Sequence, residues 1–367
     1  MSMPPSNILH GHERTVGLIQ ESILGARSMP SWIFGGPLGV GKFTAARLLA
    51  GLLLDPETRP EDVADFSPRT DTDSGTLFAA GTHPDLHVIC KEQALESPIQ
   101  KVRDQKQRTI PVAVLRQQII GGVIDGHTFD APAYMKPHRG TGKVFIIDEA
   151  ELISEIGQNL LLKTLEEPPP RTWFILVTTR PDRLLPTIHS RCQPAQFNPL
   201  DESAMSAWKQ ELELEVAPTE LDWAVGFSEG APGLAVAAID EELHSWHQTF
   251  EGMIDDFAAG RFPAGMASEM ERFIDESAVA AEKADRLTSK QAAGVRATKL
   301  LINLISSLMR SRMHTAIEAG APGQEAWADA IEVLARSESQ IESNVNRKLA
   351  LAGLGSALAD VLGLVES

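Results

Sequence analysis

The run Gly36-Pro37-Leu38-Gly39-Val40-Gly41-Lys42 follows an apolar segment, Ser31-Trp32-Ile33-Phe34, and leads into the helical pattern Ala45 to Leu54. Glycines at Gly36, Gly39 and Gly41 let backbone N–H groups curl around a polyphosphate. The helix N-terminus adds positive potential, and Lys42 can reach the outer phosphates. Further on, Val144-Phe145-Ile146-Ile147 ends in two acids, Asp148 and Glu149. In phosphoryl chemistry the first of such a pair supports Mg²⁺ and the second polarises an attacking water. The next apolar run, Phe174-Ile175-Leu176-Val177, ends in Thr178 and Thr179, whose hydroxyls can sense a γ-phosphate or cap a turn.

The loop departs from the phosphate-binding pattern at one place. A Ser or Thr should follow the lysine to hold Mg²⁺, and Phe43 stands there instead. Thr44 is next, but one residue of helix turns its side chain through about 100°. Gly36, Gly39, Gly41, Lys42 and Thr44 are therefore candidates to bind ATP with Mg²⁺, while efficient hydrolysis is not expected. A glycine turn kept for strand-to-helix packing is the competing reading of the loop, and solvated strand-end acids that of Asp148 and Glu149.

These groups need a frame. Near-continuous apolar strands separated by helical patterns imply a parallel sheet with both faces covered, an α/β core over residues 1–199. Residues 55–81 and 125–142, rich in Pro, Gly and Asp, read as surface loops. Beyond Pro199 the pattern is helical throughout, as in Leu301, Leu304, Ile305 and Leu308 and in Trp327, Ile331 and Leu334. We divide it into a small helical piece, 200–242, and a larger bundle, 243–367.

A net charge of -17 excludes a protein that coats nucleic acid with its whole surface, so any DNA contact must be local or made by a partner. Cys90 and Cys192 stand far apart, which suggests neither a disulfide framework nor a zinc site and fits a reducing cytoplasm. No segment has the length of a membrane span or the layout of a secretory leader.

Two longer runs are more specific. Asn159-Leu160-Leu161-Leu162-Lys163-Thr164-Leu165-Glu166-Glu167-Pro168-Pro169 and the stretch Arg180 to Cys192, ending in Ser190-Arg191-Cys192, resemble the AAA+ clamp-loader family of bacterial DNA polymerase III, especially its delta-prime type. The resemblance implies an AAA+ core, a helical lid and a collar that forms a ring with other chains. It makes Arg191 a trans arginine finger, a guanidinium entering the ATP site of the adjacent subunit. Such a finger contributes on the order of 10³ to 10⁵ in rate. Asp148 and Glu149 take the Walker B place and Thr178 the sensor 1 place. Gly233, in Gly230-Ala231-Pro232-Gly233-Leu234, stands where motor subunits carry a sensor arginine, and Ile341 to Leu351 is similar to the last collar segment. Residues 55–83 lack the cysteines of the family's zinc module, so zinc is not expected.

The implied role is a stator with little ATPase of its own, within the polymerase III holoenzyme. Its partners would be the gamma/tau motor subunits and the clamp-opening delta subunit in a hetero-pentamer, and through them the sliding clamp and primed DNA. A gamma/tau-like motor is the alternative, and a P-loop kinase of a small metabolite the remoter one. Among smaller signals, His10 and His12 read as exposed polar residues before a helix, with a place in an adenine pocket as the alternative that the resemblance implies, His83-Pro84-Asp85 as a turn, and Lys101, Arg103, Lys106 and Arg108 as a solvated face rather than a contact to DNA phosphate.

Overall fold

The computed structural model describes residues 8–25, 30–104, 109–139, 142–212, 216–284, 290–318, 320, 324–342 and 347–362. Lys106, Arg108, Gly140 and residues 343–346 of the collar-like segment lie outside the described residues. The chain forms two compact units, one of residues 2–214 with 229–234 and one of residues 215–228 with 235–367.

Among the described residues seven strands occur in the first unit: β1 Ser31–Gly35, β2 Leu86–Ile89, β3 Gly122–Ile124, β4 His127–Phe129, β5 Lys143–Ile147, β6 Thr172–Thr178 and β7 Gln193–Gln196. Five of them make one sheet in the order β2-β5-β6-β1-β7, with every pairing parallel. Alternate residues serve opposite faces. Ile33, Phe145, Ile147, Phe174 and Leu176 pack with Leu161 and Leu165 of the helix Glu155–Glu166. Trp32, Phe34, Val144, Ile146, Ile175 and Val177 pack with Leu48, Leu49 and Leu52 of the helix Lys42–Leu54. The expected α/β core is therefore present, with both sheet faces buried as continuous apolar strands require.

Strand β7 was not foreseen. Its residues, Gln193-Pro194-Ala195-Gln196, are polar and interrupted by proline, which is tolerated because β7 is an edge strand.

Both presumed surface loops contain regular structure. Residues 55–81 hold two short helices, Pro60–Ala64 and Asp73–Ala79. Thr72 caps the second by accepting from Gly75 N at 2.9 Å while donating to the buried Asp55 Oδ2 at 2.6 Å. His83-Pro84-Asp85 is more than a turn. His83 pairs with Ser74 Oγ at 3.1 Å, and the fully buried Asp85 accepts the backbone N–H groups of His138 and Arg139 at 2.7 and 2.9 Å. These buried polar ties add to the packing of Val63, Phe66 and Phe78 against the core. In residues 125–142, Asp125 and Gly126 form the tip of a β3–β4 hairpin, both at positive φ as a two-residue primed turn requires.

On β2, His87 stacks on Phe145 with ring centroids 4.6 Å apart, and burial pulls its pKa down to about 4 from 6.5. The fold thus favours the neutral ring. That contribution is intact above pH 6.5 and is lost as pH falls towards 4. Melting temperatures taken from pH 7 to pH 4 should fall less for His87→Phe than for the native chain; parallel curves would contradict this.

The second unit is helical: Pro218–Phe227, Leu243–Ala258, Met266–Ala284, Lys290–Glu318, Gln324–Glu342 and Arg347–Val361, with most of Pro232–Asp240. Leu301, Leu304, Ile305, Leu308 and Leu334 are buried, and ion pairs Arg312–Asp255 and Arg347–Asp275 tie helices at the rim. Among the described residues no helix is long and apolar enough to cross a membrane.

Candidate functional site

Parallel pairing aligns the strand ends. Gly35 stands opposite Thr178, and Ile147 opposite Leu176. The glycine run after β1, the acids after β5 and Thr178 at the end of β6 therefore share the carboxyl edge of the sheet, where open α/β folds bind ligands.

At that edge the glycine run closes on itself. Lys42 is 5 % exposed, and its Nζ donates to Gly36 O at 2.7 Å and to Pro37 O. Burial pushes its pKa down to about 8, against the pull of Glu151 and Asp148. A second backbone segment touches the loop, with Gly233 N donating to Gly39 O at 2.8 Å. Only glycines fit this contact. A Cβ on Gly39 would meet Leu234 N at 2.6 Å, and one on Gly233 would meet Gly39 Cα at 2.9 Å. Gly233, read from sequence only as a missing arginine, is thus a seat for the loop. His12 does precede a helix, Glu13–Leu24, but is half-buried: its Nε2 hydrogen-bonds Val40 O at 2.7 Å and its ring meets Phe197 edge-on. Phe43 packs against the apolar layer between sheet and helix, and Thr44 is half-buried one position along.

The acids are held as individuals. Asp148 is drawn up to a pKa of about 6, first by burial and then by the neighbouring Glu149, and it accepts Glu149 N at 3.0 Å. Glu149, at φ 49°, pairs with Lys91, which follows β2. Glu151 accepts Thr179 N at 3.2 Å and Thr179 Oγ1 at 2.5 Å, while its Oε2 is buried with no partner among the described residues. Thr178 is buried, and its hydroxyl oxygen accepts Arg180 N at 3.0 Å, the turn-capping option. Lys91, Glu151 and the Gly233 seat escaped sequence reasoning. The acids gave strand ends, but not which strand lies beside which. Among the described residues no group of three or more His, Cys, Asp or Glu side chains is arranged to hold a metal ion.

Arg191 belongs elsewhere. It precedes β7, whose Gln193 is in register with Trp32 near the start of β1, so Arg191 lies at the amino edge of the sheet. There it lines a surface recess with Pro30, Leu165, Glu166 and Ser190. Five strand residues separate this recess from the glycine run, about 16 Å at 3.3 Å per residue. The flanking residues explain how it is held. Ser154 caps the helix Glu155–Glu166 at one end, Pro168-Pro169 stop it at the other, and Cys192 is buried in the core with its thiol pushed up to about 12. The side chain of Arg191 is 26 % exposed. Its Nη1 donates to Thr187 O at 2.7 Å and Ser190 Oγ at 3.1 Å, its Nη2 pairs with Glu166, and its Nε is buried without a partner among the described residues. It is neither engulfed by its own core nor free.

Comparison with known proteins places this arrangement. The family model described as DNA polymerase III, delta subunit matches residues 11–201, just over half of the chain. The chain is 32% identical over 161 residues to DNA polymerase III subunit delta' of Escherichia coli (strain K12), covering 44% of this chain and 41% of that protein. It is 30% identical over 197 residues to DNA polymerase III subunit gamma/tau of Mycobacterium tuberculosis (strain ATCC 25618 / H37Rv), covering 54% and 29%. The matches thus span less than half the length of these relatives. Among solved structures, a DNA polymerase III gamma subunit-related protein of Thermotoga maritima is similar at a TM-score of 0.46 and 14% identity, over 95% of this chain and 99% of that one. With the glycine run, the strand-end acids and the Ser190-Arg191-Cys192 stretch all inside the matched region, the chain belongs to the DNA polymerase III delta-subunit family.

Proposed function

We propose that this chain is a delta-prime-like stator of the DNA polymerase III clamp loader. It joins gamma/tau motor subunits and the clamp-opening delta subunit in a cytoplasmic hetero-pentamer that loads the sliding clamp onto primed DNA. The observation that carries the reading is the placement of Arg191 at the sheet edge opposite its own glycine run. A guanidinium about 16 Å from its own loop cannot serve a nucleotide there. It can serve one on a neighbour packed against the recess, where a permanent positive charge stabilises the transferring phosphoryl group.

The carboxyl edge supports the same reading. The residues present do not fit Mg·ATP: Lys42 is bonded to its own loop, Gly233 sits on Gly39, and Phe43 replaces the hydroxyl that would hold Mg²⁺. On this proposal Asp148, Glu149 and Thr178 are vestigial, the first two kept by local contacts and the last as a turn cap. No ATP, Mg²⁺ or zinc is resident, the helices of 200–242 form the lid and those of 243–367 the collar.

The retained Asp148-Glu149 pair favours the competing motor reading, and one substitution separates the two. In a reconstituted complex, Lys42→Ala in this chain should leave ATP turnover unchanged, and millimolar MgATP should not shift the melting of the isolated chain. A motor would lose turnover on Lys42→Ala and would gain stability as RT ln(1 + [L]/Kd). Loss of turnover on Lys42→Ala would overturn the stator, and the absence of a thermal shift would overturn the motor.

A further inference from the structure

Glu166 is the last residue of the helix Glu155–Glu166, where the unpaired carbonyls make a negative charge unfavourable. Glu167 follows it and adds a second acid. The carboxylate of Glu166 is relieved by Arg191, and the two form one wall of the recess beside Pro30. The guanidinium, however, is incompletely served. Of its five N–H donors, Nη1 uses two on Thr187 O and Ser190 Oγ and Nη2 one on Glu166, while Nε stays buried without a partner among the described residues. An arginine parked on one carboxylate, with donors left over, is open to exchange for an anion of higher charge and more acceptor oxygens.

We infer that Glu166 is a positioning residue, a dock that holds the Arg191 finger along its own subunit until the phosphate of a neighbour's nucleotide takes the guanidinium from it. The inference rests on the proposed trans role of Arg191 and adds to it. Docking competes with engagement, so it raises the nucleotide concentration needed at the neighbouring site. Once the nucleotide has drawn the finger across, the dock no longer bears on the rate. The pair is half-exposed, so its strength is that of a surface ion pair and the competition is worth a few-fold.

The test is ATP hydrolysis by the full assembly reconstituted with Glu166→Gln, which keeps the shape of the side chain and removes its charge. The apparent KM for ATP should fall about two- to fivefold while kcat stays within about twofold. Glu166→Asp, with charge but shorter reach, should fall between. The double variant Glu166→Gln/Arg191→Ala should be indistinguishable from Arg191→Ala alone. A KM that does not fall, a lowered kcat, or an effect of Glu166→Gln that persists without Arg191 would each overturn the dock. If Arg191→Ala itself changes nothing, the trans finger fails instead, and the two failures are told apart.

Discussion

Arg191→Ala in the reconstituted assembly is expected to slow single-turnover ATP hydrolysis at the adjoining site by on the order of 10³-fold with the assembly intact. The size is that of an arginine finger in phosphoryl transfer, whose delocalised charge and forked donors act with little reorganisation. Integrity follows from the local build. Cys192, one residue on, is the buried anchor of the triplet, whereas Arg191 lies on the rim and its loss removes one partly exposed ion pair and its exposed hydrogen bonds to Thr187 O and Ser190 Oγ. That pair contributes about 1 kcal/mol or less. Arg191→Lys should restore only part of the rate, because an ammonium keeps the charge but not the fork. Native turnover in Arg191→Ala, with the complex still formed at native stoichiometry, would count against the reading.

Asp148→Asn is expected to stabilise the chain, the opposite of what replacing an acid in a working Mg²⁺ site would suggest. Burial and Glu149 hold the Asp148 carboxyl at about 6 in the fold, against an ordinary value of 3.8. A folded pKa raised above the unfolded one means that stability present below about pH 4 is lost as pH rises through 6. At pH 7.5 the native chain bears the cost of a partly buried anion beside Glu149, and asparagine does not. The gain should be on the order of 2 kcal/mol, with the acceptor for Glu149 N preserved on the amide oxygen. Denaturant melts at pH 7.5 and pH 4 check it, since the advantage should fade at the lower pH. A less stable variant at pH 7.5 would mean that the anion has a partner in the fold.

What sequence could reveal here followed from periodicity and local pattern. Strands such as Val144 to Ile147 and Phe174 to Val177 announce burial on both faces, and the glycine run between strand and helix announces its own geometry. Strand β7 was hidden by Pro194 and two glutamines, which only an edge accepts. The helices within residues 55–81 have five and seven residues, too few to show a helical period; Val63 and Phe78 pack them on the core, and the Thr72–Asp55 hydrogen bond ties the second across a gap in sequence. The Asp125-Gly126 tip did carry a hairpin signal that the neighbouring prolines obscured.

The candidate site divides the same way. Residue types at the carboxyl edge were legible, but their state was not, because it depends on tertiary contacts. Lys91 reaches Glu149 from a neighbouring strand, and Gly233 reaches Gly39 from the far side of the sheet sequence. Arg191 was legible as a candidate through its triplet. That it lies at the edge opposite Lys42 emerges only from the parallel register of β7 on β1.

A density map of the assembled complex, trapped with a slowly hydrolysed ATP analogue and Mg²⁺, tests the central claim most directly. The account predicts the Arg191 guanidinium about 3 Å from a γ-phosphate oxygen bound to the adjoining subunit, with Lys42 of this chain still bonded to its own loop. Nucleotide density at Lys42, or an adjoining phosphate approached by another residue while Arg191 faces solvent, would contradict it.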